Sequence, residues 1–67
     1  LNYKKVMIYL ANFVGNNNIN YLTAFTYPPA IVITDGLSSS LITSKSTTSV
    51  TITSASSATG ILILEGY

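Results

Sequence analysis

The sequence predicts an all-β fold, a small antiparallel β-sandwich of about six short strands. Three observations carry that expectation. Segments rich in Val, Ile, Thr and Tyr recur along the chain, with turn-forming residues between them. No stretch between them has room for the helical crossover that a parallel sheet needs. At 67 residues the chain holds a single domain, 1–67.

The elements follow in order. Tyr3 to Val14 reads YKKVMIYLANFV. A helix is conceivable there, but its β-branched and aromatic residues favour a strand. Gly15-Asn16-Asn17-Asn18 then predicts a turn, with Ile19 to Thr23 returning as the second strand of a hairpin. Tyr27-Pro28-Pro29 fixes an extended or turning segment that no central strand accommodates. Ala30 to Thr34 is a short apolar strand ended by the turn dipeptide Asp35-Gly36. Ser40 to Ser44 and Thr48 to Thr53 form a hairpin around Lys45-Ser46-Thr47. Val50 and Ile52 share one face, and Ser49, Thr51 and Thr53 the other. Ser54 to Thr59 reads as a small polar loop, and Gly60 opens a last strand, Ile61 to Leu64.

Three of these strands are apolar on both faces. Val6, Ile8 and Leu10 oppose Met7, Tyr9 and Ala11; Ile31 and Ile33 oppose Ala30 and Val32; Ile61 and Ile63 oppose Leu62 and Leu64. A half-exposed antiparallel strand should instead alternate apolar with polar. A sandwich this small has one core, so the second faces need other cover. Further copies of the same chain would supply it, with Met7, Tyr9, Val32, Leu62 and Leu64 as the expected subunit contacts. The rival reading places the surplus apolar residues under loops of one tightly wrapped chain.

Composition points the same way. So short a chain is marginal without disulfides, metal or association. It has no Cys and no His, which removes the first support and the ordinary form of the second. Charged residues make up only 7% against 48% hydrophobic, so charge repulsion would do little to keep single copies apart. Lys4, Lys5 and Lys45 are too few to track a phosphate backbone, so no nucleic-acid partner is expected. The apolar runs fall short of the roughly 20 residues of a membrane span, so membrane insertion is not expected either.

The same inventory argues against catalysis and against any cofactor. Asp35 and Glu65 are the only carboxylate side chains, and nothing in their spacing brings them together. Asp35 is an ordinary turn former, and Glu65 ends a strand, exposed or paired with Lys4 or Lys5. No His is present to activate a serine. Lys45 between Ser44 and Ser46 lies in a turn, with no orienting third group. The candidate ligand-binding residues are Asn16, Asn17, Asn18 and Tyr27, because loops carry recognition more often than strands.

The Thr-rich strand TTSVTIT, Thr47 to Thr53, is followed by a small polar loop and then by ATGILILEGY, Ala58 to Tyr67. This last third of the chain resembles the C-termini of bacteriophage and other viral tail-fibre and receptor-binding proteins. The resemblance implies a β-structured domain, usually homotrimeric, at the distal end of a fibre, where it meets a host-surface glycan or protein. It implies a virion or extracellular location and a C-terminal fragment of a longer fibre protein, in keeping with a chain that begins at Leu1. It carries over no ligand residue. A purely structural trimerisation or capping module, and a fragment of a prokaryotic surface adhesin, remain alternatives.

Overall fold

A computed structural model describes residues 2–67. Four strands form one antiparallel sheet: β1 (Lys4–Asn20), β2 (Ala30–Ile33), β3 (Leu41–Lys45) and β4 (Ser49–Gly66), with a single 3₁₀ turn at Asp35–Leu37. The strand class and antiparallel pairing are as expected. The six-stranded sandwich is replaced by an open sheet of four strands, because β1 and β4 each take the place of two.

β4 is the centre. β1 pairs with it from Lys4↔Gly66 to Asn20↔Ser49. On its other side β2 takes the C-terminal half, Ala30↔Glu65 to Ile33↔Leu62, and β3 takes the N-terminal half, Leu41↔Thr53 to Lys45↔Val50. The β3–β4 hairpin turns where expected, closed by the Ser46 N–H on the Ser49 carbonyl at 2.8 Å.

The expected turn at Gly15–Asn18 does not form; β1 runs straight through it. The Gly and Asn residues instead serve two bulges, with Asn12 at φ 51° and Gly15 at φ 77°. Between Leu10↔Gly60 and Phe13↔Ala58, β1 carries one extra residue. Because side chains alternate with period two, one extra residue exchanges the faces. Val6, Ile8 and Leu10 therefore share a face with Phe13 and Ile19, all packed in or against the core. Between Phe13↔Ala58 and Gly15↔Ser54 the surplus is two residues on β4, which leaves its alternation intact. Val50, Ile52, Ser54, Ala58, Leu62 and Leu64 are accordingly all buried. The predicted loop Ser54–Thr59 is thus strand, its small residues lying across from the bulged stretch of β1.

The bulges bend the sheet. The sixteen rises of about 3.3 Å between the ends of a seventeen-residue strand would reach about 53 Å, yet the longest dimension is 37 Å. The two ends of the ribbon meet at the 21–29 segment. The Phe25 N–H donates to the Thr47 carbonyl (2.9 Å), before β4, and the Thr26 N–H to the Tyr67 carbonyl (2.8 Å), after it. The sheet thus folds over its own core face. Tyr21, Phe25, Pro29 and Leu37 fill the fold, with Tyr21 and Phe25 edge to face at 5.6 Å. Gly60 supplies the room for Leu37, since a Cβ there would stand 2.9 Å from the Leu37 Cγ.

Candidate functional site

With one face folded inward, the other face of the sheet becomes the outside of the molecule, and its two halves differ. The half that carries β2 is apolar. Register sets side chains in rows across it: Lys5–Glu65–Ala30, then Met7–Ile63–Val32, then Tyr9–Ile61. Met7 is 62% exposed, Tyr9 68%, Val32 45% and Ile61 38%, so nothing among the described residues covers them. Tyr3 and Tyr67 meet edge to face at 5.7 Å beside the first row.

The charges sit at one margin of this surface. The Lys5 Nζ lies 3.4 Å from the Glu65 carboxylate. A hydrogen bond from Tyr3 holds the Glu65 carboxyl below its ordinary range, with Lys5 acting in the same direction and desolvation opposing both. The same contact raises the Tyr3 phenol, since ionising it would bring a second negative charge beside Glu65.

The half that carries β3 is polar. Asn18 Oδ1 accepts from the Thr51 hydroxyl at 3.2 Å, and Asn16 Oδ1 accepts from Thr53. These cross-strand pairs tie the side-chain carbonyls to the sheet and leave the amide groups outward. The neighbouring strand offers Leu41 and Ser44 at the edge, both exposed. A cleft of about 380 Å³ runs along the edge, lined by Ile31, Ile42, Thr43, Ser44 and Lys45.

The residues singled out in the sequence are distributed as follows. Asn16 and Asn18 share the polar outer face. Asn17 points the other way, half-buried, with its Nδ2 on the Val14 carbonyl at 3.2 Å. Tyr27 is exposed, and its neighbour Pro29 is fully buried. Tyr27 lies near the chain end, on a different segment from the asparagines. Met7, Tyr9 and Val32 do come together on the apolar face. Leu62 and Leu64 do not join them: both are fully buried on the core face, and Ile61 and Ile63 occupy the outer positions. Val50 and Ile52 hold the signal for that assignment, because their inward parity carries through Ser54 and Ala58 to Leu62 and Leu64, with Ser56 exposed where β4 bulges. Reading a loop at Ser54–Thr59 interrupts it.

Asp35 and Glu65 stand on separate elements, the 3₁₀ turn and β4. Lys45 is engaged, its Nζ on the Pro29 carbonyl at 3.0 Å. Among the described residues no group of three or more acidic, Cys or His side chains is placed to hold a metal ion. No helix among them is long and apolar enough to cross a membrane. Compared with known proteins, the chain matches no family model, no curated protein and no solved structure.

Proposed function

We propose that this chain is a non-enzymatic assembly module of a viral tail-fibre tip, working as a homotrimer on the virion exterior and attaching to a host-surface glycan or protein. One observation carries the assembly part: the outer face is apolar on one half and polar on the other. A chain facing water on all sides gains nothing from exposing the Met7–Ile63–Val32 row, whereas a subunit gains from burying it. In the trimer the folded-over sheet acts as a two-layer sandwich, apolar layer toward the axis and Asn/Thr layer toward solvent. The number three, the fibre and the host contact come from the resemblance of the chain's last third to tail-fibre C-termini.

Recognition on this reading falls to the outward groups, the amides of Asn16 and Asn18 and the Tyr27 ring. Light scattering on the purified chain should give a mass of three copies, and the assembled form should bind permissive cells or a glycan on an array. A stable monomer contradicts the assembly part, and a trimer that binds neither contradicts the attachment part.

A second reading, a structural cap with recognition elsewhere, is favoured by the Asn16–Thr53 and Asn18–Thr51 pairs, which engage the side-chain carbonyls within the sheet. On that reading Asn16→Ala and Asn18→Ala leave adsorption unchanged, while removal of the domain abolishes fibre assembly.

A further inference from the structure

β2 and β3 lie on the same side of β4, one on each half of the folded sheet. Their outer edges therefore stand at one mouth of the fold, and the cleft of about 380 Å³ opens there. Ile31 pairs with Leu64, Ile42 with Ile52 and Lys45 with Val50, and all three β4 partners are buried. Residues directly opposite in a pair share a face, so Ile31, Ile42 and Lys45 all lie on the core side, at its rim.

For Lys45 this takes a bulge. It stands an odd step beyond Ile42, and strict alternation would set the two on opposite faces. β3 carries one extra residue, Thr43, between Ile42↔Ile52 and Ser44↔Thr51, which brings Lys45 round to the core side. There its Nζ donates to the carbonyl of Pro29, just before β2, at 3.0 Å, so the side chain bridges the mouth. An ammonium has three N–H groups, and this bond uses one. The other two lysines are placed differently. Lys5 pairs with Glu65 at 3.4 Å, and Lys4 donates to the Ala24 carbonyl at 2.7 Å and sits over the Phe25 ring. Lys45 is a cation held in a cleft with no carboxylate partner among the described residues.

We propose that this cleft binds one carboxylate-bearing sugar residue, its carboxylate on the Lys45 ammonium. The proposal rests on the attachment reading above and names the class of glycan, an acidic one. The charge of the site calls for an anion, and a charge-assisted hydrogen bond to a held ammonium is the strong kind. Ile31 and Ile42 offer an apolar floor to the C–H face of a sugar ring. Thr43 and Ser44 offer hydroxyls to its hydroxyls; Thr43 donates to the Thr51 carbonyl at 3.4 Å and keeps its acceptor side for a ligand. Three of the five lining residues are polar, which suits a hydroxyl-rich ligand better than an acyl chain. The volume is at the small end of the roughly 300–1,000 Å³ of ligand pockets, so it takes one ring and not a long segment. The site lies at the sheet edge, apart from the apolar face assigned to assembly.

Titration of the isotope-labelled chain with glucuronate, followed by amide nuclear magnetic resonance shifts, tests this. Shifts should map to Ile31 and Ile42–Lys45, and glucose and acetate should each bind at least about tenfold more weakly than glucuronate. Lys45→Gln should weaken glucuronate by about tenfold or more, the weight of a charged hydrogen bond, while Lys45→Arg keeps it. Should Lys45→Gln fail to fold, the shift map and the ligand preference of the unmodified chain decide alone. Glucose binding as well as glucuronate overturns the acidic class, and acetate binding as well overturns the sugar. Shifts confined to Asn16, Asn18 and Tyr27 overturn the cleft and leave the attachment reading standing, as does a chain that adsorbs to permissive cells without binding glucuronate. Failure of both adsorption and glucuronate binding overturns cleft and attachment together.

Discussion

The Thr59 hydroxyl accepts the Asn12 backbone N–H at 2.8 Å and turns back toward the Asn12 side-chain carbonyl at 3.4 Å. This pair holds the bulge that exchanges the faces of β1. Without the extra residue, Phe13 and Ile19 would point to the outside. Asn tolerates the positive φ it adopts there, and a β-branched residue does not. Asn12→Gly should change stability by less than about 0.5 kcal/mol, and Asn12→Val should lower it by about 1–2 kcal/mol. Thr59→Val, which removes the acceptor, should lower it by about 1 kcal/mol. Denaturant midpoints would show the ranking, and Asn12→Val as stable as Asn12→Gly would contradict it.

Leu62 and Ile63 are neighbours on β4 with opposite surroundings, one fully buried in the chain's core and one on the outer apolar face. Leu62→Ala should cost about 2–5 kcal/mol of folding stability. Ile63→Ser should leave the far-ultraviolet circular dichroism unchanged and make the assembly dissociate on dilution. Equal effects of the two on both readouts would remove the distinction between the faces.

Gly36 in the 3₁₀ turn lies against β4, where an added Cβ would overlap the Thr59 carbonyl oxygen. The nearest atoms are all β4 backbone, of Thr59 and Gly60, so no flexible side chain is there to yield. Gly36→Ala should destabilise by about 1–3 kcal/mol, in the range of overpacked sites. An unchanged thermal midpoint would mean that this turn is free to lift away from β4.

Glu65 titrates below its ordinary range through Tyr3 and Lys5. A carboxylate with a depressed folded pKa contributes stability above its unfolded pKa of about 4.3 and loses it as pH falls through the folded value. Glu65→Gln should therefore flatten the loss of stability below about pH 4.3. Urea midpoints measured from neutral to acid pH would show it, and parallel curves for both proteins would exclude Glu65 as a source.

Much of this was legible in the residues. The β class, the β3–β4 hairpin, the inward Val50–Ile52 alternation and the two-faced apolar strands all follow from pattern. The continuity of β1 and β4 was not, for a physical reason. A bulge uses the residues of a turn, Gly and Asn at positive φ, so LANFVGNNN reads as a strand end when it is a bend. Likewise SASSAT looks like a loop because its partner, the bulged stretch of β1, lies far away in sequence. The face of Leu62 and Leu64 was hidden because apolar residues on both sides carry no label. The label that Val50 and Ile52 supply reaches them only once Ser54–Thr59 is read as strand, and the pairing Ile8↔Leu62↔Ile33 agrees with it.

The central claim is that the outer apolar face, with Met7, Tyr9, Val32 and Ile61 exposed and Ile63 half-buried among them, is covered by further copies of this chain. Sedimentation equilibrium of the unmodified chain at low micromolar concentration tests it most directly. A mass of three chains is the expected result, and a well-folded monomer under the same conditions would contradict it.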